Sequence, residues 1–183
     1  MVHPYRLDAP AVQIGAILDA DPGKDVWQGG SVIPGSFAPV VIRGKTRTRY
    51  LIPRQWRVPP PPRATQVVTH VRNLESPFWI GTLRHTEYRC LVPATSFCVT
   101  RAGRGEWLAV PGRPVIAFAG IWRDSEVPSY AIVTTEGSLA GIVSLPLILP
   151  PEQWHTWLAA DWKQAQRLVA LAHSPLDLVP AAR

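Results

Sequence analysis

The residues best suited to chemistry cluster around one short stretch, Thr69-His70-Val71-Arg72. On an extended strand, side chains two apart share a face, so the His70 imidazole and the Arg72 guanidinium would point the same way. Together they would bind a phosphate or a carboxylate. A hydrogen-bonded imidazole packed into the core is the other reading of His70. The flanking sequence favours an anion: from Val26 to Leu74 there is no Asp or Glu, while Arg43, Lys45, Arg47, Arg49, Arg54, Arg57, Arg63 and Arg72 supply eight positive charges. The whole chain carries +6, so the remainder is mildly acidic. A basic block on an acidic body is the pattern of a surface that meets phosphate. An Arg-rich composition spread over a solvated face is the plainer account.

Other reactive side chains are dispersed. His85 and His155 fall in predicted helices as surface residues, His173 lies near a helix C-terminus, where a cation is favourable, and His3 stands near the chain start. Cys90 and Cys98 lack C-x-x-C spacing and a neighbouring histidine cluster, so both read as buried core thiols rather than zinc ligands or a disulfide. No metal site and no cofactor is expected. G-x-S-x-G, P-loop, G-x-G-x-x-G and H-E-x-x-H motifs are absent, which excludes the commonest hydrolase, nucleotide-binding and zinc-protease patterns.

The elements that must position these groups are short. Twenty prolines among 183 residues, about twice the ordinary ~5%, break the chain into small segments. Residues 9–20 space Val12, Ile14, Ile17 and Leu18 as an amphipathic helix. Short strands are predicted at Pro39–Arg43 and over 46–53, with a hairpin turn at Gly44-Lys45-Thr46, and again over 66–73. Residues 58–63, VPPPPR, read as an exposed polyproline II loop. Ser76 and Pro77 look like the N-cap and first residue of a helix. The apolar runs YRCLVPA, EWLAVPG, PVIAFAGIW, SYAIVTTE and LPLILP read as strands, residues 150–172 as one or two helices, and LDLVPAAR as a last strand. The expected class is α+β: a curved, mainly antiparallel β-sheet or barrel with short flanking helices.

A chain with 46% hydrophobic residues and eight Trp can bury a core without staples, so one domain over residues 1–183 is expected. No apolar run reaches the ~18 residues of a membrane span, and the start MVHPYRLDAP has no signal-peptide pattern. The expectation is a soluble, cytoplasmic monomer with no membrane contact.

Taken in order, several segments resemble the SOS response-associated peptidase family, which shields abasic sites in single-stranded DNA. Met1-Val2-His3-Pro4-Tyr5-Arg6-Leu7 stands where the family has Met-Cys and a polar-aromatic stretch. Arg49-Tyr50-Leu51-Ile52-Pro53, followed by Trp56, resembles its Trp-Gly-Leu-Ile-Pro segment, and His70-Val71-Arg72 resembles its Asn-x-Arg strand. Arg89-Cys90-Leu91-Val92-Pro93-Ala94 with Phe97 following, Ala117–Trp122, Thr134-Thr135-Glu136 and Leu147–Glu152 are similar to the later blocks. The resemblance implies the family's fold over essentially the whole chain.

The family's chemistry implies an N-terminal cysteine, an Asn, a Glu and a His. In this sequence those positions hold Val2, His70, Val99 and, nearest the expected place, Ile142. Valine cannot close a thiazolidine on a sugar aldehyde, and neither Val99 nor Ile142 exchanges a proton. The resemblance therefore implies binding of single-stranded DNA or DNA junctions, in the DNA-damage response, with covalent cross-linking and self-processing lost. Arg72 matches the family's backbone-binding arginine and Arg6 a basic position beside its N-terminal cysteine. Arg54, Arg57 and Lys45 extend the basic surface, and Trp56 offers either a stacking platform or a core ring. Two alternatives stay open: an active cross-linker or lyase using the N-terminal amine or His70, and a protein-interaction subunit on the same fold.

Overall fold

The computed structural model describes residues 3–136, 141–142, 144–171 and 177–181. In chain order the elements are β1 (Tyr5–Leu7), α1 (Ala11–Leu18), β2 (Gly30–Val32), β3 (Phe37–Arg43), β4 (Arg49–Gln55), β5 (His70–Val71) and α2 (Pro77–Leu83). A 3-10 turn at Thr86–Tyr88 leads into β6 (Arg89–Ala94), β7 (Ser96–Arg101), β8 (Arg104–Ala109), β9 (Ile116–Arg123), β10 (Ser129–Glu136), β11 (Ser144–Pro146) and β12 (Ile148–Leu149). Helices α3 (Pro151–Ala159) and α4 (Trp162–Leu171) and strand β13 (Val179–Pro180) complete the fold.

Strands β4, β3, β6, β9 and β10 run antiparallel in that order, and β10 returns to β4 through a parallel pairing of Ser129 with Gln55, which closes a ring. This is the mixed α+β class expected, with its curved antiparallel sheet. A second antiparallel sheet, ordered β13-β8-β7-β1-β2, lies beside it. Strands β6 and β9 are buried along almost their whole length, and α3 packs on β6 from outside. There the Trp157 indole donates to the Cys90 carbonyl at 3.0 Å, and the Arg89 guanidinium donates to the Ala160 carbonyl at the end of α3. Burying one such Trp contributes roughly 4–6 kcal/mol of gross hydrophobic stabilisation, before entropy. Gly120 permits the close approach of β9 to β6: a Cβ there would sit 2.7 Å from both Cys90 Sγ and Val92 Cγ2.

Local signals in the sequence act as expected at several ends. Ser76 accepts the Phe78 N–H at 3.3 Å with Pro77 at the first helical position. That helix stops at Leu83, so His85 lies beyond it, exposed, whereas His155 is exposed within α3. Helix α1 is shorter than residues 9–20 because Asp19 turns left-handed (φ 50°), and Arg49 caps its last carbonyl at Leu18 from 2.9 Å. The strand expected over 66–73 contracts to His70–Val71, which pairs parallel with β10. Val68 bridges Val58 instead, so the proline loop begins with a buried, paired residue. Strands β1 and β7 were not among the predicted strands. His173 lies outside the described residues. No described helix is long and apolar enough to cross a membrane.

Candidate functional site

Between the two sheets opens a cavity of about 690 Å³. One wall is the chain start, His3, Pro4 and Tyr5; another is β7, from Phe97 to Thr100. His70 and Arg72 face it from β5 and the turn beyond, in the same sheet as Ile132 and Thr134 of β10 and Ser144 and Pro146 of β11, with Trp56 and Phe118 also lining it. Short segments reach this place because they are tied down individually. Tyr5 pairs with Phe97, and the Cys98 N–H donates to the Pro4 carbonyl at 3.1 Å, fixing the first residues against β7. Strand β5 is held by its register with Ile132 and Val133, and the Ile132 N–H donates to the Thr69 carbonyl at 2.9 Å.

The cavity is mostly apolar with few charges. The Tyr5 and Tyr130 hydroxyls hydrogen bond at 2.6 Å, and burial holds both phenols well above their ordinary pKa. His70 accepts or donates at Nδ1 to Thr69 Oγ1 at 3.1 Å, while the Trp56 indole donates to the Thr69 carbonyl at 3.0 Å and meets the imidazole edge-on. Burial, with a smaller contribution from nearby His3, pushes His70 down to about 4. Burial also lowers His3. His70 is therefore a neutral hydrogen-bonding group at pH 7, not a second cation, and Arg72 is the one guanidinium among the described lining residues.

The other residues singled out in the sequence lie elsewhere. Arg6 alternates away from the buried Tyr5 and Leu7, is exposed, and is held by Asp8 through contacts of 2.9–3.2 Å. Arg54 stacks over the Trp122 ring at 4.6 Å, and neither it, exposed Arg57 nor exposed Lys45 lines the cavity. Trp56 does line it, but the residue is fully buried, packed parallel to Tyr130, so its face is closed to a stacking base. Cys90 is buried, as expected of a core thiol. Cys98 is a correction: burial alternates along β7, with Phe97 and Val99 buried and Cys98 and Thr100 half-buried, and all four line the cavity. Composition alone missed Cys98, Thr100, Thr134 and Ser144, although the alternating SFCVTR would have marked β7 as a strand.

The sequence profile of the SOS response associated peptidase (SRAP) family matches residues 12–180. The chain belongs to this family. Among solved structures it is similar to a phage-related protein of Bordetella bronchiseptica (19% identity, TM-score 0.74, covering 100% of this chain and 95% of that one). A second Bordetella bronchiseptica protein matches at 18% identity and TM-score 0.76, covering 100% and 99%, and a Bacteroides thetaiotaomicron protein at 17% and 0.73, covering 91% and 85%. At these identities the likeness is one of fold. No curated protein matches the chain. Within this SRAP chain, His70 and Val99 both face the cavity, whereas Ile142 is buried in a bridge with Arg101 and does not line it. Val2 lies outside the described residues.

Proposed function

We propose that this SRAP protein holds single-stranded DNA, including strands with an abasic site, in the cavity around Arg72, without the family's thiazolidine cross-link or self-processing. The reading rests on one observation above the rest: a guanidinium and a neutral, hydrogen-bonding imidazole stand on the wall of a mostly apolar cavity beside the chain start. Arg72 supplies the phosphate contact, and His70 supplies a hydrogen bond to a sugar or base. Val99, a buried hydrocarbon on the cavity wall, removes proton transfer from that position. Exposed Lys45 and Arg57 add long-range attraction for a polyanion.

Paired gels test this. Intact and abasic single strands should both shift on a native gel at low salt and run free on a denaturing gel. A band that survives denaturation on the abasic strand would restore cross-linking through the N-terminal amine or His70. Absence of any native shift, together with a partner protein recovered with the chain, would favour the interaction-subunit reading.

A further inference from the structure

Cys98, His3 and Thr100 form a second polar group on the cavity wall. Cys98 Sγ lies 3.8 Å from His3 Nδ1, and the other ring nitrogen of His3 is hydrogen bonded to Thr100 Oγ1. All three residues line the cavity. A thiol, a base within reach of it, and a third group that orients the base are the parts of an activated nucleophile. The arrangement is built into the backbone, since the Pro4 carbonyl accepts the Cys98 N–H, placing His3 beside the thiol. Strand β8 backs this group, with Trp107 paired to Cys98 and Gly105 paired to Thr100. The second cysteine, Cys90, is sealed in the core and offers no partner for a disulfide.

We propose that Cys98 is the cavity's nucleophile and His3 its proton carrier, adding the thiol reversibly across the aldehyde of a sugar phosphate whose anion is held by Arg72. This rests on the reading of the cavity as a sugar-phosphate site. With His3 Nε2–H donating to Thr100 Oγ1, the Nδ1 lone pair faces the thiol. The S–H proton passes to Nδ1, the sulfur pair forms an S–C bond to the carbonyl carbon, the C=O π bond opens, and the oxygen takes the proton from His3. The product is a hemithioacetal; no oxidant, reductant or leaving group is involved. Burial lowers His3, which keeps the imidazole neutral and able to accept, and burial raises the Cys98 thiol, so that it needs this base. Addition to an aldehyde requires only a nucleophile and a proton carrier, which are the groups present. Because a hemithioacetal reverts on denaturation, such an adduct is compatible with a clean denaturing gel.

The test uses the full chain and 2-deoxyribose 5-phosphate labelled with ¹³C at C1, with the corresponding alditol phosphate, which lacks the aldehyde, as control. A new sulfur-bound C1 resonance should appear, be absent from Cys98→Ser, and form about 10²-fold more slowly with His3→Gln. In the wild-type chain, iodoacetamide should label Cys98 and not Cys90, and the aldehyde sugar should slow that labelling at least fivefold while the alditol does not. This arm stands even if a variant fails to fold. Equal protection by both sugars, no protection by either, or a Cys98 that iodoacetamide never labels would each overturn the proposal. A native single-strand shift that persists without the adduct defeats the Cys98 proposal alone; an adduct without a DNA shift defeats the DNA reading alone.

Discussion

Replacing His70 with Asn should make the protein less sensitive to acid, and the size of the effect follows from the burial of the ring. The imidazole is neutral in the folded state because burial has carried its pKa from 6.5 to about 4. In the unfolded chain it titrates near the ordinary ~6.5. Between those values the unfolded state binds a proton that the folded state refuses, so stability must fall as pH drops from 6.5 towards 4 and level off below. At ~1.4 kcal/mol per pKa unit the full loss is about 3 kcal/mol, and about 2 kcal/mol of it is already gone at pH 5. Urea unfolding of the wild type and His70→Asn at pH 7.5, 6, 5 and 4.5 isolates this contribution, because every carboxylate is common to both proteins. The difference in unfolding free energy should shift in the variant's favour by about 2 kcal/mol between pH 7.5 and pH 5. A difference that stays constant across that range would refute the claim that His70 is held neutral, and with it the hydrogen-bonding role assigned to it.

Two further substitutions test the packing that shapes the cavity. Gly120→Ala drives a methyl against Cys90 Sγ and Val92 Cγ2 and should cost about 1–3 kcal/mol by urea unfolding, part of it recovered in the Gly120→Ala/Cys90→Ala double variant. Tyr5→Phe strands the buried Tyr130 hydroxyl and should cost about 1–3 kcal/mol, whereas Tyr5→Phe/Tyr130→Phe should cost less than the single change, since no buried donor is left without a partner.

Much of the fold was legible because its cues are local. Ser76 and Pro77 announce α2, and the apolar runs that became β6, β9 and β10 are buried on both faces, so no alternation was needed to find them. What escaped was set by distant partners. The three residues of β1 are a strand only because β2 and β7 flank them, and the 66–73 run shortened because Val68 found Val58 across the proline loop. The site shows the same division. His70 and Arg72 could be placed together from spacing, and both line the cavity. The acid-free block suggested a single basic face, but its arginines take separate tasks: Arg49 caps α1 and Arg54 lies on Trp122, while Arg72 lines the cavity. Charge counting cannot distinguish a guanidinium that caps a helix from one that waits for phosphate. Cys98 and His3 are 95 residues apart in the chain, and no spacing rule joins them.

The proposed DNA binding depends on Arg72 gripping a phosphate. Fluorescence anisotropy of a labelled single strand across a salt series, for wild type and Arg72→Ala, measures this directly. Each phosphate neutralised on a single strand contributes about −0.7 to the slope of log affinity against log salt. The wild type should weaken steeply with salt, and the variant should bind more weakly at every sequence with a slope shallower by about 0.7. Identical affinities and slopes for the two proteins would contradict it.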